Sequence, residues 1–319
     1  MTTETGQILS GWIPYRLQHD TSARWMYMSD IPFTDPFFYD TLQKSKQLKE
    51  NSSRYRCTAS TDSLEEWSRE IDSVQPSAFI FHVSRCGSTL LAQLLGLDEQ
   101  HIVLAETPFI DELLRAKYKP GGKDMSYMLP SAIPFYGQKR NGKENRLFIK
   151  TDSWHLFFYE VLRDLYPDIP FILLYRRPDE VIASQAKLKG QHAVEGVIEK
   201  ELFSLGELPP FHHSPNHYMA AVLEQYYTAM YQICQKDAHA HLMNYNEGFI
   251  HITEKVYALT NTELTAQRKS SFEERCEYDA KAPNEKFNLA PSAAQEIPGY
   301  MSKAFELYDQ LDALRLAGV

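Results

Sequence analysis

From residue 78 onward, short apolar runs alternate with stretches in which apolar residues recur every three or four positions. The run Ala78-Phe79-Ile80-Phe81-His82-Val83 predicts a strand that feeds a turn, Ser84-Arg85-Cys86-Gly87. A helix is predicted from Ser88, where Leu90, Leu91, Leu94 and Leu95 make one apolar face. A strand over residues 102–105 precedes a helix over 109–116, and residues 146–150 form the next strand. Phe158, Val161, Leu162 and Leu165 then line one side of a helix. Phe171-Ile172-Leu173-Leu174-Tyr175 is apolar throughout, as strands covered on both faces of a parallel sheet are. Pro178 suits the first turn of the helix that follows. Met219, Val222, Leu223, Tyr226, Met230 and Ile233 mark a long amphipathic helix, residues 241–244 a last strand, and 250–259 a final helix. Repeated strand–helix alternation implies a three-layer α/β sandwich, a central parallel sheet with helices on both sides. Ligands of such sheets sit at the carboxyl ends of the strands.

Residues before about 74–77 read differently. They are polar and turn-rich, with aromatic clusters at Ile31-Pro32-Phe33 and Asp35-Pro36-Phe37-Phe38-Tyr39. They predict an N-terminal segment, residues 1–76, packed through those aromatics on a main domain, residues 77–319. Residues 119–145, rich in Gly, Pro and Lys, read as a loop with some helix.

The chain has 319 residues, ordinary hydrophobic and charged contents of 43% and 24%, and a net charge of −9. That charge argues against a broad nucleic-acid surface, which needs a basic face, but leaves room for an anionic ligand at a helix N-terminus. Cys57, Cys86, Cys234 and Cys276 are far apart, with neither disulfide-framework nor zinc spacing. The opening MTTETGQILSGW has no basic or apolar leader region, and no apolar run reaches membrane-spanning length. A cytoplasmic location is expected, and a homodimer is compatible with the sequence.

Two stretches carry recognisable chemistry. At the first strand–turn–helix, a helix N-terminus offers free N–H groups, Gly87 permits close approach, Ser88 and Thr89 add hydroxyls and Arg85 adds a fixed charge. Together they make a phosphate cradle, although a plain capped βα turn would have the same pattern. It is not a Walker A loop, for the GxxxxGK[ST] spacing is missing. In Tyr175-Arg176-Arg177-Pro178-Asp179-Glu180-Val181-Ile182-Ala183-Ser184, an arginine at a strand end and a serine two helical turns on can face one pocket. The competing reading is a structural arginine cap.

These two stretches resemble the sulfotransferase family. Ser84-Arg85-Cys86-Gly87-Ser88-Thr89 is similar to its 5'-phosphosulfate loop, P-[KR]-[SA]-G-[ST]-[ST], with Ser84 in place of proline and Cys86 at the small position. The second stretch is similar to its 3'-phosphate motif, R-[NDR]-P-x-[DE]-x-x-x-S, with Arg176 and Ser184 on the binding positions. Asn244-Tyr245-Asn246-Glu247 resembles a later strand end that places Tyr245 at the nucleotide. Arg268-Lys269-Ser270 resembles the late R-K-G that adds cations to the 3'-phosphate, with serine replacing glycine. The resemblance implies a P-loop-type fold and transfer of a sulfuryl group from 3'-phosphoadenosine 5'-phosphosulfate to a hydroxyl or amine, leaving 3'-phosphoadenosine 5'-phosphate, by in-line displacement. Arg85 would contact the bridging oxygen, and Lys150, in a family-like K-[ST]-x, the sulfuryl oxygens.

For the base that takes the acceptor's proton, Glu106 ranks first, because Glu106-Thr107-Pro108-Phe109-Ile110-Asp111 looks like the glutamate-base region of some family members. Asp152 aligns with a catalytic histidine of the cytosolic branch and ranks second, and His155 ranks third. His212, His213 and His217 lie in a Pro-rich loop, and no metal is expected there. Residues 119–145 and 188–216 are expected to cover the site. Tyr127, Phe135, Tyr136, Phe203 and Phe211 suit a small organic or lipid-like acceptor. A nucleotide-dependent kinase and a non-catalytic nucleotide-binding protein are the rival readings.

Overall fold

The computed structural model describes residues 4–18, 21–205, 214–281, 285–286 and 297–318. Eight strands form two sheets. The first is antiparallel and comprises β1 (Trp12–Gln18), β2 (Ser22–Tyr27) and β3 (Thr58–Ser60), in that order. The second is parallel and has the order β5-β6-β4-β7-β8, with β4 at Pro76–His82, β5 at His101–Ala105, β6 at Arg146–Lys150, β7 at Phe171–Tyr175 and β8 at Ala240–Asn244. Helices flank it, so the expected α/β architecture is present. Every residue of β7 is fully buried, in keeping with its apolar sequence, and the one side-chain polar group, the Tyr175 hydroxyl, is hydrogen-bonded.

The chain divides into two compact units. One comprises Met1–Phe79, Ala92–Asp152 and Arg163–Pro167; the other comprises Ile80–Leu91, Ser153–Leu162 and Asp168–Val319.

In the first unit, Trp25, Phe33 and Phe38 of the early chain are core, whereas Tyr39 and Tyr55 are exposed. Trp25 meets Phe135 edge-on at 4.8 Å between ring centroids, and Phe38 meets Phe33 at 4.9 Å and Tyr136 at 5.7 Å. Polar ties fix β1 here: Gly11 N–H donates to Gln138 Oε1 at 2.8 Å, and Tyr136 Oη donates to the Pro14 carbonyl. Residues 119–145, read from sequence as a loop with some helix, contain a short helix, Leu129–Tyr136. β5 and β6 pair in register, with Ala105 opposite Lys150.

In the second unit, the helix Pro178–Lys187 starts with proline in its first turn, and Arg177 in extended backbone precedes it. The long helix Pro215–Lys236 buries Met219, Val222, Leu223, Tyr226, Tyr227, Met230 and Ile233 on one side. It contacts the C-terminal helix Ser302–Leu316. β7 and β8 pair in register, Tyr175 opposite Asn244. Among the described residues no helix is long and apolar enough to cross a membrane.

Candidate active site

In the second unit the chain leaves β4 through a backbone that L-residues rarely adopt. Ser84 and Arg85 have φ of 61° and 53°, and Gly87 follows at 79°. Non-glycine residues in the left-handed region cost of order 1–3 kcal/mol each, and such strain gathers at ligand sites. Left-handed residues set among right-handed ones can form an anion-binding concavity of N–H groups; here the Ser84 N–H donates to His82 Nδ1 at 3.1 Å. The helix Ser88–Leu95 starts directly after it, with Ser88 and Thr89 buried in its first turn. The Cys86 side chain faces away from this concavity, its Sγ 3.5 Å from the Leu174 carbonyl. Gly87 faces the Phe249 ring: a Cβ there would lie 2.1 Å from the ring's Cζ. Close packing against protein, as well as against ligand, therefore demands glycine at this position.

Two arginines converge on the loop. Arg85 Nε donates to Ser184 Oγ at 2.7 Å, joining residues 99 positions apart. Arg176 Nη1 donates to the Arg85 carbonyl at 3.1 Å and its Nε to Glu180 Oε2 at 2.7 Å, while its guanidinium lies 3.9 Å above the Tyr245 ring centroid. Tyr227 Oη donates to the Arg176 carbonyl at 2.7 Å. Burial first, then the neighbouring charge of Arg176, lowers the Arg85 pKa from its ordinary value, and Asp279 acts the other way. The Nη nitrogens of Arg85 and the Nη2 of Arg176 have no hydrogen-bond partner among the described residues. Arg85 and Arg176 thus lie together beside the strained loop, Arg176 paired with Glu180 at 2.7 Å.

A buried polar chain supports the loop from below. Gln185 Nε2 reaches Ser84 Oγ at 3.4 Å and His192 Nε2 at 3.2 Å, and Ser153 Oγ lies 3.4 Å from His192 Nδ1. Burial lowers the His192 pKa to about 4, so the imidazole is neutral at physiological pH. His155, on the short helix Ser153–Phe158, is buried between Trp154 and Phe158, at 6.1 and 6.2 Å between rings. On the helix Ala266–Cys276, Arg268 Nη1 donates to the carbonyl of Glu263 just before it at 2.9 Å, and Lys269 pairs at 2.6 Å with Glu254 on the helix Phe249–Leu259.

The first unit gathers the other candidates. Glu106 follows β5 in the left-handed region, φ 59°, and its N–H donates to the Lys150 carbonyl at 2.9 Å. Lys150 Nζ donates to Glu106 Oε1 in an ion pair. Burial first, then the carboxylates of Asp111 and Glu106, push the Asp152 carboxyl well above the usual range, against Lys150 and Arg115. Burial and its carboxylate neighbours thus disfavour the charged form of Asp152, while Glu106 pairs with the buried ammonium of Lys150.

Some sequence expectations need correction. Phe135, Tyr136 and Phe203 are fully buried, the last against Phe157 and Tyr226, so they present no surface to an acceptor. Tyr127 is exposed, as are Leu188, Val194 and Val197. His212, His213 and Phe211 lie outside the described residues; His217 packs on Tyr300 at 4.3 Å between rings. Sequence reasoning gave no role to Glu180, although its i+4 spacing from Arg176 was readable. Asp279, more than a hundred residues from either arginine in sequence, left no local signal.

No family model matches the chain, and no curated protein matches it. Among solved structures it is similar to a sulfotransferase from Alicyclobacillus acidocaldarius, with 14% identity and a TM-score of 0.46 over 76% of this chain and 96% of that one. It is similar to the sulfotransferase STF1 from Mycobacterium tuberculosis H37Rv, with 16% identity and a TM-score of 0.41 over 67% and 75%. It is also similar to the sulfotransferase domain from the curacin biosynthetic pathway, with 16% identity and a TM-score of 0.45 over 75% and 99%.

Proposed function

We propose that this chain is a sulfotransferase that takes a sulfuryl group from 3'-phosphoadenosine 5'-phosphosulfate and gives it to a hydroxyl or amine of a small organic or lipid-like acceptor. The observation that carries the reading is the pair Arg85–Arg176, set beside the strained loop Ser84-Arg85-Cys86-Gly87 and joined to it by the Arg176 Nη1 bond to the Arg85 carbonyl. In this reading the loop N–H groups, Arg85, Ser88 and Thr89 hold the 5'-phosphosulfate. Arg176 and Ser184 hold the 3'-phosphate, and Tyr245 steadies Arg176 from below. The bound donor supplies the sulfuryl group. A sulfuryl group carries less charge than a phosphoryl group, so side-chain cations suffice for charge stabilisation, the parallel being phosphoryl transfer dominated by positioning.

Glu106 is the proposed base. The Glu106 carboxylate would take the acceptor's proton, whereas burial and the carboxylates of Asp111 and Glu106 raise the Asp152 carboxyl and disfavour its charged form. Lys150 orients Glu106 through their ion pair. Residues 1–76 are proposed as an accessory segment and residues 77–319 as the sulfotransferase domain, in a cytoplasmic protein. Exposed Leu188, Val194 and Val197, on one stretch after the helix Pro178–Lys187, support an acceptor with an apolar part.

Calorimetric titration with 3'-phosphoadenosine 5'-phosphate, ATP and GTP in parallel tests the reading. The bisphosphate is expected to bind and the triphosphates to bind far more weakly. Preference for ATP or GTP would replace this reading with a kinase-like one.

A further inference from the structure

We infer that Asp312, on the C-terminal helix Ser302–Leu316, is a positioning residue that clamps the ends of β7 and β8 and so fixes the arginine–tyrosine stack that meets the nucleotide's 3'-phosphate. The clamp rests on the 3'-phosphate reading given above. Its basis is one carboxylate oxygen with three donors. Asp312 Oδ1 accepts from Tyr175 Oη at 2.8 Å, from Asn244 Nδ2 at 2.8 Å and from Arg315 Nε at 2.9 Å. Tyr175 and Asn244 are the last residues of β7 and β8 and pair directly across the ladder. The next residue of each strand is Arg176 and Tyr245, the two members of the stack. Tying the first pair together therefore sets the separation and direction from which the second pair leaves the sheet.

The surroundings make the tie stiff. Tyr175 is fully buried and Asn244 nearly so, so neither donor has water as an alternative partner. Asn244 Nδ2 also donates to Tyr308 Oη at 2.8 Å, one helical turn before Asp312 on the same helix. Arg315, held by Asp312, also lies 3.4 Å from Glu247, which accepts from the Asn244 N–H at 2.7 Å. Helix, two strand ends and the turn after β8 thus share one hydrogen-bonded network with Asp312 at its centre. Asp312 thus reaches Arg176 through the strand ends that it ties, and so acts on the site by placing it.

Asp312→Ala removes the acceptor and strands three donors. Calorimetry with 3'-phosphoadenosine 5'-phosphate and adenosine 5'-phosphate is expected to show the first weakened by about tenfold and the second by less than about twofold. Asp312→Asn keeps an acceptor oxygen of the same reach and should stay within about threefold of wild type for both ligands. The Arg176 Nε–H, identified in a nitrogen–proton correlation spectrum by its loss in Arg176→Lys, should exchange with solvent about tenfold faster in Asp312→Ala without any nucleotide. A folded Asp312→Ala with unchanged ligand discrimination and unchanged Nε–H exchange overturns the clamp. If Asp312→Ala does not fold, Tyr175→Phe deletes one donor alone and should weaken the bisphosphate about threefold, with adenosine 5'-phosphate unaffected; no change there overturns it equally. A wild-type protein that binds both nucleotides alike would end the 3'-phosphate reading, and the exchange rate then decides the clamp by itself.

Discussion

Removing the carboxylate of Glu106 should cost far more than removing the ammonium with which it pairs. The Lys150 side chain has 0% of its surface exposed, whereas Glu106 retains 23%. Glu106→Gln therefore leaves a fully buried cation without its counter-charge, a change that costs about 3–5 kcal/mol. Lys150→Met leaves a carboxylate that water can still reach, so its cost falls nearer about 1–2 kcal/mol. The double variant Glu106→Gln/Lys150→Met removes both charges and fills the space with a side chain of similar size. It should return to within about 1 kcal/mol of wild type. Urea denaturation at pH 7, with each midpoint read against its slope, measures all four proteins in one cycle. The same proteins separate fold from chemistry when turnover is measured well below each melting temperature. If Glu106 is the base, the double variant regains stability but stays about 10² slower than wild type. The reasoning fails if Glu106→Gln lies within about 0.5 kcal/mol of wild type, or if Lys150→Met is the costlier change.

Gly87→Ala places a Cβ against the Phe249 ring at a φ of 79°, and about 2–4 kcal/mol of lost stability should appear as a lower melting temperature with weaker bisphosphate binding. Arg85→Ala should reduce turnover more than it weakens 3'-phosphoadenosine 5'-phosphate binding, and Arg85→Lys should retain much of the activity; a variant that loses binding alone would reassign this residue. Asp152→Asn tests the raised carboxyl. A carboxyl with a higher pKa folded than unfolded favours the fold while protonated, and that contribution is lost as pH rises from the ordinary value of about 3.9 toward the raised one. The melting temperature of Asp152→Asn relative to wild type should accordingly be higher at pH 8 than at pH 5, and an equal difference at both would contradict the cause assigned.

Much of the parallel sheet was legible because its strands are covered on both faces and so read as unbroken apolar runs. Residues 146–150 and 171–175 match β6 and β7 to the residue. The antiparallel sheet near the N-terminus was not legible. β1 carries Pro14 and a register shift between Pro14 and Arg16, which breaks the two-residue alternation, and β3 has three residues only. For the site, the arginine-bearing loops could be read because helix starts and strand ends leave local marks. The pairing of Arg85 with Ser184, the packing of Phe249 on Gly87 and the hold of Asp312 on Tyr175 and Asn244 could not, since each joins residues with no sequence relation. Phe135, Tyr136 and Phe203 misled for a related reason. An aromatic residue in a loop-like stretch has the same local pattern whether it faces a ligand or the core.

Recognition of two phosphates of one adenosine nucleotide is tested most directly by comparing 3'-phosphoadenosine 5'-phosphate with adenosine 5'-phosphate by calorimetry. Arg176 and Ser184 would contribute charge-assisted hydrogen bonds to the 3'-phosphate alone, each worth about 1.5–3 kcal/mol. The bisphosphate should therefore bind about tenfold to a hundredfold more tightly or better, and Arg176→Ala should abolish most of the difference. Equal affinity of wild type for the two nucleotides would contradict the account.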